Sequence, residues 1–511
     1  MAEIRENWGS RAGFILAAVG SAVGLGNVWR FPHECYSNGG SAFLIPYIIA
    51  MIIIGIPLLI MEFSLGHLTQ LAAPGAFRKA GPKWEFVGWW PIALSFAIVC
   101  YYAVILAWCL NYLYFSFQSE LPWKGDAENF FFKEYLNYSE NYSLSGIRIE
   151  IMASLAIIWA LMFISIVKGV KIVSKIVLWT VPIPWAMLLI LMFKGVSLPG
   201  AINGLEYFLE PDFSVLEKSH VWRAAFGQVF FSMTIAFGVM ITYASFLHRK
   251  SDINNNALII GLADLATSVI AGIAVFATMG YLAVQTNQPV DQVLEGGKSL
   301  GLAFVAFPEA LSHLGPHASI FAAIFFIALI LLGIDSAFSI TEAALASMID
   351  KTGWKRSTVL AVMSITGFCI GLIFLTRGGL SWLDTVDSFV SEGTWGIMLV
   401  GLIECLVVGW VFDLKKLRAH ANKNSDWKIG VWWEWSIKLI VPAILLALTI
   451  WSIYDNTQEG FIIDAEGNLI GSNILGLSLN VFLFMLAVIL ALWNPHKKTN
   501  NNQPDAGILT K

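Results

Sequence analysis

The chain has 511 residues, of which 57% are hydrophobic and 13% charged, with a mean hydropathy of +0.70. Soluble domains carry roughly 25% charged residues, so a water-soluble globular protein is excluded. The formal net charge of −4 gives no sign of a nucleic-acid partner and says little else once most residues face lipid.

In chain order, about twelve apolar segments follow one another, each near the ~20 residues that a helical span needs. They cover approximately residues 14–29, 43–61, 87–115, 149–166, 172–192, 222–246, 258–284, 320–348, 359–374, 382–412, 432–454 and 475–493. The predicted fold class is therefore an all-α integral membrane protein, its principal partner the lipid bilayer. Lys and Arg gather on the cytoplasmic side of short loops. Basic loops carrying Arg78 and Lys79, Lys168 and Lys171, Arg249 and Lys250, Lys355 and Arg356, and Lys415 and Lys416 alternate with acidic ones carrying Glu120, Asp126, Glu206 and Asp212. With Arg5 and Arg11 at the start, both termini are expected in the cytoplasm of a multi-pass protein of the plasma membrane. Charge appears at once and the first apolar run is of full length, so the start does not read as a cleaved leader. All of Cys35, Cys100, Cys109, Cys369 and Cys405 fall in or beside spans, which argues against a disulfide framework. Residues 497–511 read as a disordered cytoplasmic tail.

The first span contains "GSAVGLGNVWRFP", residues 20–32. Gly20, Gly24 and Gly26 alone could serve close helix packing. Asn27 and Arg30 in the same segment change the reading, because polar or charged groups at membrane depth cost some ~2.5–3.5 kcal/mol each unless partnered. The sixth span has a matching interruption, "GQVFFSMTIAFG", with Gln228, Ser232 and Thr234 among aromatics. Unwound backbone is tolerated in a membrane only where it is buried in protein or lines a polar cavity. Paired broken helices at corresponding positions of two inverted halves point to a central transport site. The halves are expected at about 12–195 and 220–411, within a core of residues 1–411 that two further spans in 412–496 follow.

Together with "NGGSAFLIPY", "GLAFVAFPEA" and "LLGIDSAFSITE", these stretches closely resemble the neurotransmitter:sodium symporter family, also called solute carrier 6. The resemblance runs from Arg5 to the twelfth span. It implies the LeuT-type 5+5 inverted repeat with unwound first and sixth helices, and two sodium ions. One ion would take the carbonyl of Ala22, the side chains of Asn27, Ser232 and Asp264, and a carboxylate oxygen of the substrate. The other would take carbonyls of Gly20, Val23 and Leu332 with the side chains of Asp335 and Ser336. An all-oxygen shell suits a hard cation.

The resemblance also places the substrate. Its carboxylate would rest near Gly24 and Gly26 with Tyr102 donating, and its ammonium on carbonyls of Ala22, Phe231 and Thr234. Ser21, Leu25, Ile98, Thr234, Phe237, Ser336 and Ile340 would form the side-chain pocket, lidded by Tyr102 and Phe231; Ser232 belongs to both ligand sets. Amine-selective relatives carry an Asp where this chain has Gly24, so a neutral amino acid is the expected substrate. Ala236 stands where other members have a pocket-widening Gly, which favours a small to medium aliphatic side chain.

Arg30 with Asp387 would close the outside, and Arg5 with Asp350 the inside, with Trp8 and Ser245 nearby; Phe246 replaces a Tyr that often follows that serine. Chloride-dependent relatives hold the anion with residues matching Tyr47, Gln228, Ser232 and Ser268, and have an Asn where this chain has Asp264. The carboxylate would supply the negative charge itself, so chloride is not expected to be required. Glu62, Glu342 and Glu404 read as structural partners of unwound backbone, and Ser174 with Pro182 suggests that the fifth span unwinds in its own way.

The function implied is sodium-coupled symport of a neutral amino acid by alternating access, and the resemblance leaves room for a homodimer. A carrier of another small zwitterion, of glycine, betaine or taurine type, and an amino-acid sensor on the same scaffold are the rival readings. An enzyme is not expected, since no nucleophile with a base and no His/Cys/Asp cluster appears in the spans.

Overall fold

The computed structural model describes residues 6–295, 300–392, 395–459, 461 and 469–495. Arg5 and the tail 497–511 lie outside the described residues. Among the described residues, nine helices are long and apolar enough to cross a membrane: Gly40–Thr69, Pro82–Phe115, Ile149–Ile166, Val170–Val196, Ile253–Thr286, Gly315–Thr352, Arg356–Leu375, Val431–Asp455 and Gly471–Leu492. They match the second to fifth, seventh to ninth, eleventh and twelfth spans read from the sequence. The other three spans are interrupted. The first bends by 48° between Arg11–Ala22 and Gly26–Ser37. The sixth is split into Ser219–Ser232 and Val239–Ser245.

The tenth differs from its expected single span. It consists of Gly379–Asp387, a wide turn, and the separate helix Ile397–Trp410.

Each break has a local cause. In the first span Val23 takes extended backbone, φ −84 and ψ 94, and the Gly24 N–H is taken by Asn27 Oδ1 at 2.9 Å. The chain resumes through a wide turn in which Phe31 N–H donates to the Gly26 carbonyl, a π-type geometry common at functional sites. In the sixth span Thr234 (φ 54) and Ala236 (φ 62) adopt the left-handed conformation, which costs an L-residue ~1–2 kcal/mol each. Glu62 Oε1 accepts the freed Ala236 N–H at 2.8 Å. Unwound backbone is thus satisfied inside the protein, as hydrocarbon surroundings demand.

The first span lies against the fifth, seventh and eighth, and the third runs along the eighth. The eleventh and twelfth pack on the outside of the tenth and third. Small residues permit the tightest crossings: a Cβ on Gly66 would sit 1.9 Å from the Ile241 carbonyl oxygen. Both broken spans are therefore held in the middle of the bundle, with their gaps facing one another.

Candidate functional site

Between the two gaps lies a cavity of about 30 Å³. Ser21, Ala22, Gly24 and Gly26 line it from the first span, and Phe231, Ser232, Thr234 and Phe237 from the sixth. Ile98 and Tyr102 come from the third, Ser336 and Ile340 from the eighth, and Asn27 completes the wall. Of the residues expected to touch substrate, all but Leu25 line this cavity. The bend turns its side chain onto Gly333, where a Cβ would lie 3.0 Å from Leu25 Cδ1; its N–H alone faces the site, donating to the Tyr102 hydroxyl at 3.3 Å.

Gly24 is required by close approach. A Cβ there would sit 2.7 Å from Ser336 Oγ and 3.2 Å from the Tyr102 hydroxyl, which leaves no space for an acidic side chain. Thr234 Oγ1 donates to the Ser21 carbonyl at 2.8 Å, stitching the two unwound segments together. Ser339, which the sequence reading did not single out, joins Ser21 through a 2.7 Å hydroxyl contact. Ala236 does not line the cavity; its Cβ faces Gly401 of the tenth span at 3.7 Å from where a Cβ on that glycine would be.

Two clusters of oxygens flank the cavity. In the first, Ser232 Oγ donates to Asp264 Oδ2 at 2.9 Å and Asn27 Nδ2 to Asp264 Oδ1 at 2.7 Å. Asn27 Nδ2 also reaches Ser268 Oγ at 2.8 Å. Its Oδ1 accepts from Gly24 N–H, so that oxygen is shared with the backbone. Tyr47 donates to Asp264 Oδ2 at 3.2 Å and stands 3.4 Å from Ser268 Oγ. Gln228 Nε2 donates to the Gly26 carbonyl at 3.4 Å.

In the second cluster, Ser336 Oγ lies 3.2 Å from the carbonyls of Gly20 and Ser21 and 3.5 Å from that of Leu332. Asp335 is 3% exposed and accepts from Thr180 Oγ1 at 2.9 Å. A buried carboxylate at this depth has to be neutralised, and convergent hydroxyl, carbonyl and carboxylate oxygens are the donor set of a hard cation. The residues present therefore fit a sodium ion at each cluster.

Above the cavity, Arg30 is buried with its guanidinium 4.5 Å over the Phe231 ring, a cation–π arrangement. Asp387 accepts instead from the hydroxyls of Tyr101 and Ser391. Arg30 and Asp387, expected together at the outer gate, are thus each seen with further partners, the Phe231 ring for one and two hydroxyls for the other. Outside them opens a vestibule of about 390 Å³ that reaches Glu34, Arg223 and Trp395.

On the inner side, Asp350 Oδ2 accepts from Ala72 N–H at 2.8 Å; its expected partner Arg5 lies outside the described residues. Trp8 closes this side through its N–H to the Phe246 carbonyl at 3.1 Å and its indole to the Tyr243 carbonyl at 2.9 Å. Glu342 pairs with Arg356 of the ninth span. Glu404 is buried with neither oxygen bonded among the described residues.

The sequence model of the sodium:neurotransmitter symporter family matches residues 5–128 and 124–493. A protein of Methanocaldococcus jannaschii described as an uncharacterized sodium-dependent transporter is 40% identical over 446 residues, 87% of this chain and 89% of its own. The sodium- and chloride-dependent taurine transporter of Canis lupus familiaris is 32% identical over 488 residues, 88% and 78% of the two chains. The sodium-dependent dopamine transporter of Caenorhabditis elegans is 31% identical over 521 residues, 91% and 84%. With a buried site between two broken spans and matches of this extent, the chain is a multi-pass membrane protein that belongs to the sodium:neurotransmitter symporter family, a family of sodium-dependent transporters and not of enzymes.

Proposed function

We propose that the protein carries a small neutral amino acid into the cell together with two sodium ions, without requiring chloride. It would do so at the plasma membrane with both termini in the cytoplasm. The observation that carries the reading is the cavity of about 30 Å³ between the broken spans, walled by polar backbone at one end and by Ile98, Phe237 and Ile340 at the other. Those walls suit a small zwitterion with a short side chain, and the apolar end favours methyl over charge at ~25 cal/mol per Å² buried.

Each wall has a role in this account. The carboxylate rests on N–H groups of the unwound first span and the Tyr102 hydroxyl, and lends an oxygen to the ion beside Asn27 and Asp264. The ammonium faces carbonyls of Ala22, Phe231 and Thr234. Because substrate completes one ion's shell, each raises the other's affinity by the same factor. Gly20, Val23, Leu332, Asp335 and Ser336 hold the second ion, which pins the first span to the eighth. With both ions and substrate in place the bundle carrying the broken first and sixth spans rocks against its scaffold. Arg30 leaves Phe231 as the outside opens, and Trp8 leaves Tyr243 as the inside opens.

Chloride independence rests on Asp264. Its Oδ2 already accepts from Tyr47 and Ser232, two of the residues that match an anion site, so the negative charge is built into the chain. The taurine relative, named as chloride-dependent, favours a second reading in which the cargo is a zwitterion other than an α-amino acid. Uptake by proteoliposomes of labelled alanine, glycine, leucine, taurine and γ-aminobutyrate separates the two. Alanine leading the series supports the proposal; taurine or γ-aminobutyrate leading it supports the second reading.

A further inference from the structure

The fifth span has a joint beside the second oxygen cluster. Its inner helix ends at Thr180, and a new helix starts at Pro182. Proline has no N–H and clashes with the carbonyl four residues back, so one backbone bond of the span is lost at this joint. Both residues at the joint touch the cluster. Val181 Cγ2 is 2.8 Å from the point where a Cβ on Gly20 would be, and Asp335 Oδ2 is 3.1 Å from that same point. The other carboxylate oxygen, Oδ1, accepts from Thr180 Oγ1 at 2.9 Å. The hydroxyl's alternative acceptor, the Ile176 carbonyl one turn back, is 3.3 Å away and neutral, so the carboxylate takes the single proton.

The two oxygens of Asp335 are thus distinguished. One is turned toward the fifth span and the other toward Gly20, whose carbonyl belongs to the cluster. We propose that Thr180 is a positioning residue for the second sodium ion: its hydroxyl holds Oδ1, which fixes Oδ2 toward the ion and ties ion occupancy to the joint of the fifth span. The inference rests on the reading of Asp335 as a sodium ligand. A threonine that merely satisfied a buried acid would contribute the same stability with and without sodium; a positioning residue changes the sodium dependence.

The test is thermal unfolding of the full-length protein in detergent, with sodium chloride titrated against choline chloride at constant ionic strength. Thr180→Val and Thr180→Cys keep the volume and weaken or remove the donor. They are expected to raise the sodium concentration that gives half-maximal stabilisation by about ten-fold, the factor that ~1.4 kcal/mol represents. Thr180→Ser keeps the hydroxyl and is expected to stay within about two-fold of the parent. Ser336→Ala is the control for the site itself and should raise the sodium midpoint.

Sodium midpoints for the Val and Cys variants equal to the parent's, even if both melt lower, would overturn the role of Thr180 while a shifted Ser336→Ala leaves the ion site standing. No sodium response in the parent, or none lost in Ser336→Ala, would overturn the ion site and the role of Thr180 with it. If Thr180→Val does not fold, the Cys and Ser pair decides.

Discussion

The Tyr47 hydroxyl donates to Asp264 Oδ2 at 3.2 Å. A tyrosine from the second span thereby faces a carboxylate from the seventh, in the place where residues matching an anion site converge. Asp264 is fully buried and its oxygens are held by Asn27, Ser232 and Tyr47. A fixed negative charge with donors already aimed at it leaves a mobile anion nothing to add.

Replacing that charge should create a need for one. Asp264→Asn is expected to transport at least about ten-fold more slowly in gluconate than in chloride, a difference of ~1.4 kcal/mol, whereas the parent gives equal rates in both media. Initial uptake rates in paired media check this. Equal rates for the variant would mean that Asp264 does not stand in for an anion.

Pocket length is set by Ile340, 4% exposed at the apolar end of the cavity. Ile340→Ala removes several carbons there, and a methylene's worth of pocket discriminates by about ten-fold or more. The ratio of leucine to alanine uptake should rise by that order, measured by competition. An unchanged ratio would place the side-chain end of the substrate elsewhere.

A buried ion pair ties the inner ends of the third and eighth spans. Lys351 Nζ is 2.6 Å from Glu85 Oε1, with side chains 6% and 4% exposed, and Arg78 lies 3.3 Å from the other oxygen. Glu85→Gln strands a buried ammonium and should destabilise by ~3 kcal/mol. Lys351→Met should cost less, because Arg78 still faces Glu85. Joining the two changes should recover most of the loss. Melting temperatures of the three variants test this order, and a double variant no more stable than Glu85→Gln would contradict it.

His420 sits on the helix Leu414–Asn422 outside the spans, with Nε2 2.8 Å from His67 Nδ1. Burial, reinforced by the neighbouring His67, Arg249 and Lys423, pushes its imidazole down from 6.5 to about 4. The folded state prefers the neutral ring, so its stabilising effect is present above pH 6.5 and is lost as pH falls toward about 4. The melting temperature should fall across that window, and His420→Gln should flatten the fall. Parallel curves for parent and variant would show that other groups control acid stability.

Much of this was legible in the sequence because membranes make polar residues expensive. Asn27 and Arg30 within an apolar run announced the first break, and Gln228, Ser232 and Thr234 the sixth. What hydropathy could not supply was direction. Leu25 turns away from the cavity because Val23 leaves helical geometry two residues earlier, which rotates everything after it.

The apolar count over residues 382–412 hid the division of the tenth span into Gly379–Asp387 and Ile397–Trp410. Arg30 over Phe231 joins residues about two hundred positions apart, and no periodicity reports such a pair. Nothing in the sequence singles out Thr180. Only the packing of the fifth span on the eighth reveals Asp335 as its acceptor.

Sodium coupling is tested most directly by labelled alanine in proteoliposomes with an inward sodium gradient, compared with potassium in place of sodium. The expected result is transient accumulation above the outside concentration with sodium alone, unchanged when gluconate replaces chloride. Sodium-dependent binding with no accumulation, or uptake indifferent to sodium, would contradict the account.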